Sequence, residues 1–209
     1  MNMNYNLKPE LIEVGLDEVA RGCLFGRVYA AAVIWRDEKD LEYLLNIFNT
    51  KKMDIKDSKK LKPLEREHLK TYIETFALDY SVGWASQEEI DLLNIRNATF
   101  LAMHRALDKL TLRPEHLIVD GDDFRIYNTV PYQCIIKGDD KYTSIAAASI
   151  LAKVYHDTYI KDLVKEHPHL NKYDLLSNMG YGTNKHLSAI KKFGISPYHR
   201  KTFGICKTI

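Results

Sequence analysis

LIEVGLDEVARGCLFGRVYAAAVIW, residues 11–35, holds two apolar, β-branched runs on either side of a short glycine-containing segment. Composition of this kind makes 11–17 and 27–35 strands and ARGCLFG the turn between them, so the chain is predicted to open on a β-hairpin. The hairpin carries a problem at its tip. Asp17 and Glu18 are adjacent acids at the end of an apolar strand, where like charges repel and lose hydration, and a bound cation would compensate them. Successive side chains of a regular strand point to opposite faces, so Glu18 joins Asp17 only if the strand breaks there, and Gly22 in the following ARG turn eases such a break.

Working outward, LEYLLNIF is predicted to be a helix, followed by the lysine-rich loop TKKMDIKDSKKLKP and the helix LEREHLKTYIETFA, with Pro63 near its start. LDYSVGWAS reads as a third strand. QEEIDLLNIRNATFLAMHRALDKL has apolar residues at helical spacing, HLIVDG is a buried strand ended by Asp-Gly, and YQCIIKG is another short strand. TSIAAASILAKVYHDTYIKDLVKEH is a long helix stopped near Pro168. NMGYGT is a glycine-rich loop, NKHLSAIKKFG a short helix, and ISPYHRKTF the tail. Strands first, then alternating helix and strand, then helices, predicts an α/β fold with a mixed sheet covered by helices. We expect a main domain over residues 1–170 and a basic helical segment over 171–209 packed on it.

Composition narrows the partners. The 209 residues suffice for a genuine core. Cys23, Cys134 and Cys206 form no CxxC pair and no zinc spacing, which fits reduced thiols in a cytoplasmic protein. No apolar run reaches the ~18 residues that a membrane helix needs, and the start lacks a basic segment followed by an apolar core. The net charge is +2, but no acid follows Asp174, and Lys185, Lys191, Lys192, Arg200, Lys201 and Lys207 leave the last 35 residues at +6. A basic segment on a mildly acidic body suits a polyanion whose reactive centre lies beside carboxylates, and a solvated basic face is the alternative.

Three elements offer those carboxylates. Asp17 closes the first strand and Asp120 closes HLIVD. If the two strands are parallel neighbours, their terminal acids lie side by side at the carboxyl edge of the sheet. On the long helix, Ser149, Lys153 and Asp157 share a face at i, i+4 and i+8, and Ala146, Ala147 and Ala148 permit close approach to the sheet. Taken singly, an Asp-Gly is an ordinary turn and a helix carboxylate an ordinary surface charge. Taken together, clustered carboxylates without His or Cys partners suit Mg²⁺ or Mn²⁺, in a pair of ions roughly 3.5–4 Å apart of the kind used for phosphoryl displacement.

The same residues carry a resemblance. DEVARG (17–22) before an apolar strand, DSKKL (57–61), EIDLLNIRNATFLAMHRAL (89–107), VDG (119–121), KGD (137–139), AAASILAKV and Asp157 (146–157), GYGT (180–183) and HRKTF (199–203) follow, in order, the motifs of the ribonuclease HII family. The resemblance implies a ribonuclease H-like mixed sheet. It also implies an endonuclease acting on RNA/DNA hybrids and on single ribonucleotides in duplex DNA, 5′ of the ribonucleotide, leaving 3′-hydroxyl and 5′-phosphate ends. The family's four acids map onto Asp17, Glu18, Asp120 and Asp157, holding two divalent ions. Its Gly-Arg-Gly turn, which reads the 2′-hydroxyl, corresponds to Ala20, Arg21 and Gly22. Ala20 departs from the family glycine; its methyl fits if φ is negative, and we expect it to be tolerated.

Tyr181 matches the family tyrosine that stacks on the deoxyribose beyond the junction. Lys59, Lys185, His186, Arg200 and Lys201 are candidates for the phosphate backbone. Ser149 and Lys153 are candidates near the scissile phosphate, with a structural ion pair to a helix carboxylate as the alternative for Lys153. His156, His167 and His169 are expected on the surface. A monomer without membrane attachment is expected. The competing reading is another two-metal nuclease of this fold acting on DNA, against which the Arg21-Gly22 turn beside Asp17 argues.

Overall fold

The computed structural model describes residues 3–56, 58 and 61–209. The opening hairpin is formed by β1 (Glu13–Val19) and β2 (Val28–Ile34), paired antiparallel with Gly15 opposite Val33. β3 (Asp79–Ala85) extends the sheet antiparallel to β2. On the other side, β4 (His116–Asp120) runs parallel to β1 and β5 (Tyr132–Ile135) parallel to β4, so the sheet order is β3-β2-β1-β4-β5. The mixed sheet read from the alternation of elements is therefore present, with β1 at its centre.

Helices cover both faces. Ala31 and Val33 of β2 pack with α1 (Glu38–Ile47), α2 (Pro63–Phe76) and the alanine-rich half of α5 (Thr143–Glu166), while Val14, Leu16, Ala30 and Ala32 pack on the opposite face with α3 (Gln87–Leu93) and α4 (Ile95–Leu107). The close seating of α5 comes from both partners. A Cβ on Gly15 would stand 2.4 Å from the Ser144 carbonyl carbon, so only glycine there lets the helix lie directly on β1. The single helix expected from Gln87 onward is two, because Asn94 turns the chain at φ 66° while its carboxamide accepts a hydrogen bond from the Asn97 amide and caps α4.

Beyond α5 the chain continues through a 3₁₀ turn (Pro168–Tyr173), α6 (Leu175–Asn178), α7 (Asn184–Phe193) and a last 3₁₀ turn (Gly204–Thr208). Leu170, Tyr173, Leu175 and Ile190 pack against Ile160, Leu163 and Val164 of α5 and against Leu24 and Phe25 of the β1–β2 connection. Isolated antiparallel bridges join Cys23 to Tyr181 and Phe25 to His199. The C-terminal segment thus fixes the loop that follows Asp17 and Glu18. Among the described residues no helix is long and apolar enough to cross a membrane.

Candidate metal centre and nucleic-acid interface

The parallel register of β1 and β4 pairs Leu16 with Val119, which sets Asp17 beside Asp120 at the carboxyl ends of both strands. Backbone amides orient both acids: Asp17 Oδ1 accepts from Glu18 N at 2.7 Å and Asp120 Oδ1 from Gly138 N at 2.7 Å. Gly138 opens a 3₁₀ turn whose approach is set by Lys137 in the left-handed region, and this turn carries Asp139, 5% exposed, to the same point. A Cβ on Gly138 would lie 2.6 Å from Ile145 Cδ1, so glycine permits the approach. One oxygen from each of Asp17, Asp120 and Asp139 lies within 4.8 Å of the others.

Asp139 was not among the predicted acids, and Asp157 does not join the cluster. α5 runs alongside β1 in the same direction, with Ser144 at Gly15 and Ser149 at Asp17, so eight further residues carry Asp157 about 12 Å past the strand level. There it accepts from Lys153 Nζ at 2.8 Å and His156 Nδ1 at 3.0 Å. Burial opposes its charge, but these two donors prevail and hold the carboxyl below its usual range. The structural ion pair is thus what the structure holds for Lys153, and His156, expected at the surface, is fully buried. Asp139 did carry a signal: an acid in Lys-Gly-Asp just after a strand end, the context that singled out Asp17 and Asp120.

Glu18 is also placed differently. β1 runs unbroken to Val19, so Glu18 follows Val14 and Leu16 to the α4 face, where it lines a cleft of about 210 Å³ with Arg21, Arg96, Thr99, Asp120 and Asp123. Asp120, the last residue of its strand, lies between the two faces and adds its charge to the surroundings of both Asp17 and Glu18. Burial first, then the charges of Glu18 and Asp120, push the Asp17 carboxyl well above its usual range. Burial likewise raises Glu18, against the pull of the Arg21 guanidinium at 3.2 Å. Buried carboxylates that raise one another are relieved by a cation. An all-oxygen donor set fits hard divalent ions such as Mg²⁺ or Mn²⁺.

The turn after β1 differs from expectation in its backbone. Ala20 has φ 71°, so its methyl sits in the left-handed region that favours glycine, and the residue is 2% exposed. What holds it there is Arg200. That guanidinium is fully buried and donates to the carbonyls of Ala20 (2.8 Å), Arg21 (3.0 Å), Gly26 (2.9 Å) and Arg27 (3.1 Å). Arg200 is therefore a clamp on the turn and not a phosphate ligand, since four carbonyls use its donors and no solvent reaches it.

His186 is corrected in the same way. It is buried, bonded to the Tyr181 carbonyl and to His199 Nε2. Ser149 is buried too, 5% exposed with its hydroxyl 2.9 Å from that of Ser58, so it is not open to a phosphate. Arg21, Lys185 and Lys201 are exposed, and Tyr181 is 37% exposed with the Lys153 ammonium 5.7 Å from its ring. Gly22 faces open space. Lys59 lies outside the described residues.

A mixed sheet in this order, with acids gathered at the ends of its first and fourth strands, defines a ribonuclease H-like nuclease, and solved structures share the architecture over nearly the whole chain. Ribonuclease H2 from Pyrococcus horikoshii superposes with a TM-score of 0.73 at 26% identity, covering 94% of this chain and 95% of that one. The PCNA:RNase HII complex from Archaeoglobus fulgidus gives 0.71 at 25% identity, covering 93% and 96%. In sequence, the family model for ribonuclease HII matches residues 14–206. A ribonuclease HII from Phocaeicola vulgatus is 50% identical over 202 residues, which is 97% of this chain and 94% of the relative. The chain belongs to the ribonuclease HII family, whose members are nuclease hydrolases.

Proposed function

We propose that the protein is an endonuclease that cuts the RNA strand of RNA/DNA hybrids and cuts 5′ of single ribonucleotides in duplex DNA, leaving 3′-hydroxyl and 5′-phosphate ends. The observation that carries this reading is the convergence of Asp17, Asp120 and Asp139 within 4.8 Å beside the Ala20-Arg21-Gly22 turn. Asp139 takes the place first assigned to Asp157, and Glu18 adds its carboxylate from the α4 face. Bound at these acids, two divalent cations, Mg²⁺ or Mn²⁺, supply a water of lowered pKa and charge compensation for the departing 3′ oxygen.

The chain's own residues do the rest. Asp17 and Asp120, each pinned by a backbone amide, hold the geometry without reorganising. In the turn, Arg200 occupies the Ala20 and Arg21 carbonyls and the Cys23 amide bonds the Ala20 carbonyl at 3.3 Å. The amides of Arg21 and Gly22 have no acceptor among the described residues, so they are the donors left to meet a 2′-hydroxyl. Tyr181 offers its exposed ring to a sugar. Residues 171–209 act as a basic segment docked on the catalytic body, with Lys185, Lys191, Lys192 and Lys201 toward phosphates, where contacts position the duplex and do not read sequence.

The test is incubation with four matched duplexes, all DNA, DNA with one ribonucleotide, RNA/DNA hybrid and all RNA, in Mg²⁺ and in Mn²⁺, with the product ends identified. Cutting confined to the second and third is expected. Cleavage of the all-DNA duplex would make the chain a DNA nuclease of the same fold, and inactivity on every duplex would refute the proposal.

A further inference from the structure

Before β1 begins, the chain crosses the connection that carries Asp139. Asn4 N donates to the Lys141 carbonyl at 2.9 Å, and the Asn4 carbonyl accepts from Thr143 N at 2.9 Å, a parallel bridge around Tyr142. The second bond meets a need of α5. A helix leaves its first amides without intrahelical partners, and Tyr142 at the N-cap makes no side-chain capping bond among the described residues, so the Asn4 carbonyl serves as the acceptor. The acid-bearing turn is thereby fixed at both ends. At one, Gly138 N donates to Asp120 Oδ1 at 2.7 Å; the Gly138 carbonyl accepts from Lys141 N at 2.9 Å and Tyr142 N at 2.8 Å; at the other end Asn4 holds Lys141 and Thr143. Residues 3–8 have anchors of their own. Glu13 accepts from the amides of Leu7 (2.6 Å) and Lys8 (3.1 Å), the Tyr5 hydroxyl donates to Glu38 at 3.2 Å, and Leu7 and Tyr142 pack against Ile118, Ile135 and Ile145.

From these bonds we infer that residues 3–8 are a positioning strap of the carboxylate site: through the backbone of Asn4 they fix the connection over 138–143 and so set Asp139 for cation capture. Asp139 stands in a cluster with Asp17 and Asp120, and like charges in a buried site drive one another apart until a cation compensates them. Asp17 lies on the central strand, paired with Ala31 of β2, and Asp120 is paired with Ile135 of β5. The short turn is the part of the cluster outside the sheet, so it is the part able to yield. The two Asn4 bonds oppose that movement. A loosened turn populates the binding geometry only part of the time, and the apparent cation affinity falls by that fraction.

The inference rests on the proposed carboxylate site, and two measurements on the intact chain separate them: amide hydrogen exchange without metal, and Mn²⁺ binding by calorimetry without nucleic acid. Asn4→Pro removes the donor to Lys141 and keeps the carbonyl, whereas Asn4→Ala keeps both backbone groups. Asn4→Pro should speed exchange over residues 138–144, leave β1 to β4 protected, and weaken Mn²⁺ about fivefold, the size of one hydrogen bond. Asn4→Ala should match the parent in both, because Asn4 is exposed and its backbone makes the bridge. Leu7→Ala, which loosens the strap from its apolar seat, should shift both readouts in the direction of Asn4→Pro, and it decides the matter if circular dichroism shows Asn4→Pro to be unfolded. With a hybrid duplex present, Asn4→Pro should lower kcat at limiting Mn²⁺, recover it at saturating Mn²⁺, and leave KM for the hybrid unchanged.

Unchanged exchange over 138–144 in a folded Asn4→Pro, or in Leu7→Ala if the proline variant does not fold, would overturn the strap and leave the carboxylate site standing. Faster exchange with parent-like Mn²⁺ affinity would overturn it too, since the strap would then serve stability alone. So would an equal loss of affinity in Asn4→Ala, which would place the effect in the side chain and not in the bridge. Failure of the parent chain to take up Mn²⁺ would overturn the carboxylate-site reading itself, and this inference with it.

Discussion

Asp139 and Asp157 differ in what surrounds them. Asp139 shares a 4.8 Å cluster with Asp17 and Asp120, and Asp157 lies outside that cluster, bonded to Lys153 and His156. Asp139→Asn should therefore lower cleavage on the order of a hundredfold or more, and Asp157→Asn by less than about tenfold, when kcat is measured at saturating Mg²⁺. The reverse ranking would return Asp157 to the site. Asp17→Asn removes a charge that burial and two neighbouring acids disfavour, so without metal its melting temperature should equal or exceed the parent's, in contrast to its lost activity. Ala20 offers a second comparison. At φ 71° its methyl is strained, and Ala20→Gly should stabilise the protein by about 1 kcal/mol, read as a shift in denaturant midpoint. Because Arg200 already holds the Ala20 carbonyl in place, the ratio of kcat/KM on a single-ribonucleotide duplex to that on a hybrid should change by less than about tenfold.

At the scale of elements, the connection between β1 and β2 is held mainly from outside itself. Four of its carbonyls depend on one guanidinium, and Cys23 and Phe25 are bridged to Tyr181 and His199. Burial lowers the pKa of Arg200 to about 10, yet four of its five N–H donors are bonded to carbonyls. Arg200→Ala would strand those carbonyls in a site closed to water, and Arg200→Lys could satisfy only some of them. We expect losses of about 3 kcal/mol or more for the alanine variant and less for the lysine variant in chemical denaturation. Hydrogen exchange should show the loss concentrated at residues 20–27 and 181–200. Protection lost evenly over the sheet would show that the clamp is not local.

For the whole molecule, the docking of the C-terminal segment makes stability depend on pH. The Ser196 amide donates to His199 Nδ1 at 2.9 Å, so His199 Nε2 carries the proton it gives to His186 Nε2, and His186 Nδ1–H donates to the Tyr181 carbonyl. Both rings are neutral in this chain of bonds. Burial pushes His199 from 6.5 down to about 3 and lowers His186 as well. The unfolded chain therefore binds more protons than the folded one between about pH 6.5 and pH 3, and stability falls as pH falls through that window. His199→Gln should flatten the pH dependence of unfolding free energy between about pH 6 and 5 by up to ~1.4 kcal/mol per pH unit. An unchanged slope would mean that the ring is not held neutral.

The sequence by itself determined the hairpin, the mixed sheet between helices, the family, and two acids at strand ends. These follow from local composition, from period-two and helical patterning, and from motifs whose order along the chain is their signal. Tertiary structure alone decided which acids meet. Ser149 and Asp157 share a helix face, but how far α5 runs past the end of β1 is set by the seat that Gly15 makes for it, which no spacing along α5 records. Glu18 went to the far face because β1 stayed extended two residues longer than its apolar run, held by pairing with β2. Arg200 and His186 looked like surface cations in a basic tail. They are buried because the segment folds back over the β1–β2 connection, and burial is a property of what packs against a residue, not of the residue or its neighbours in the chain.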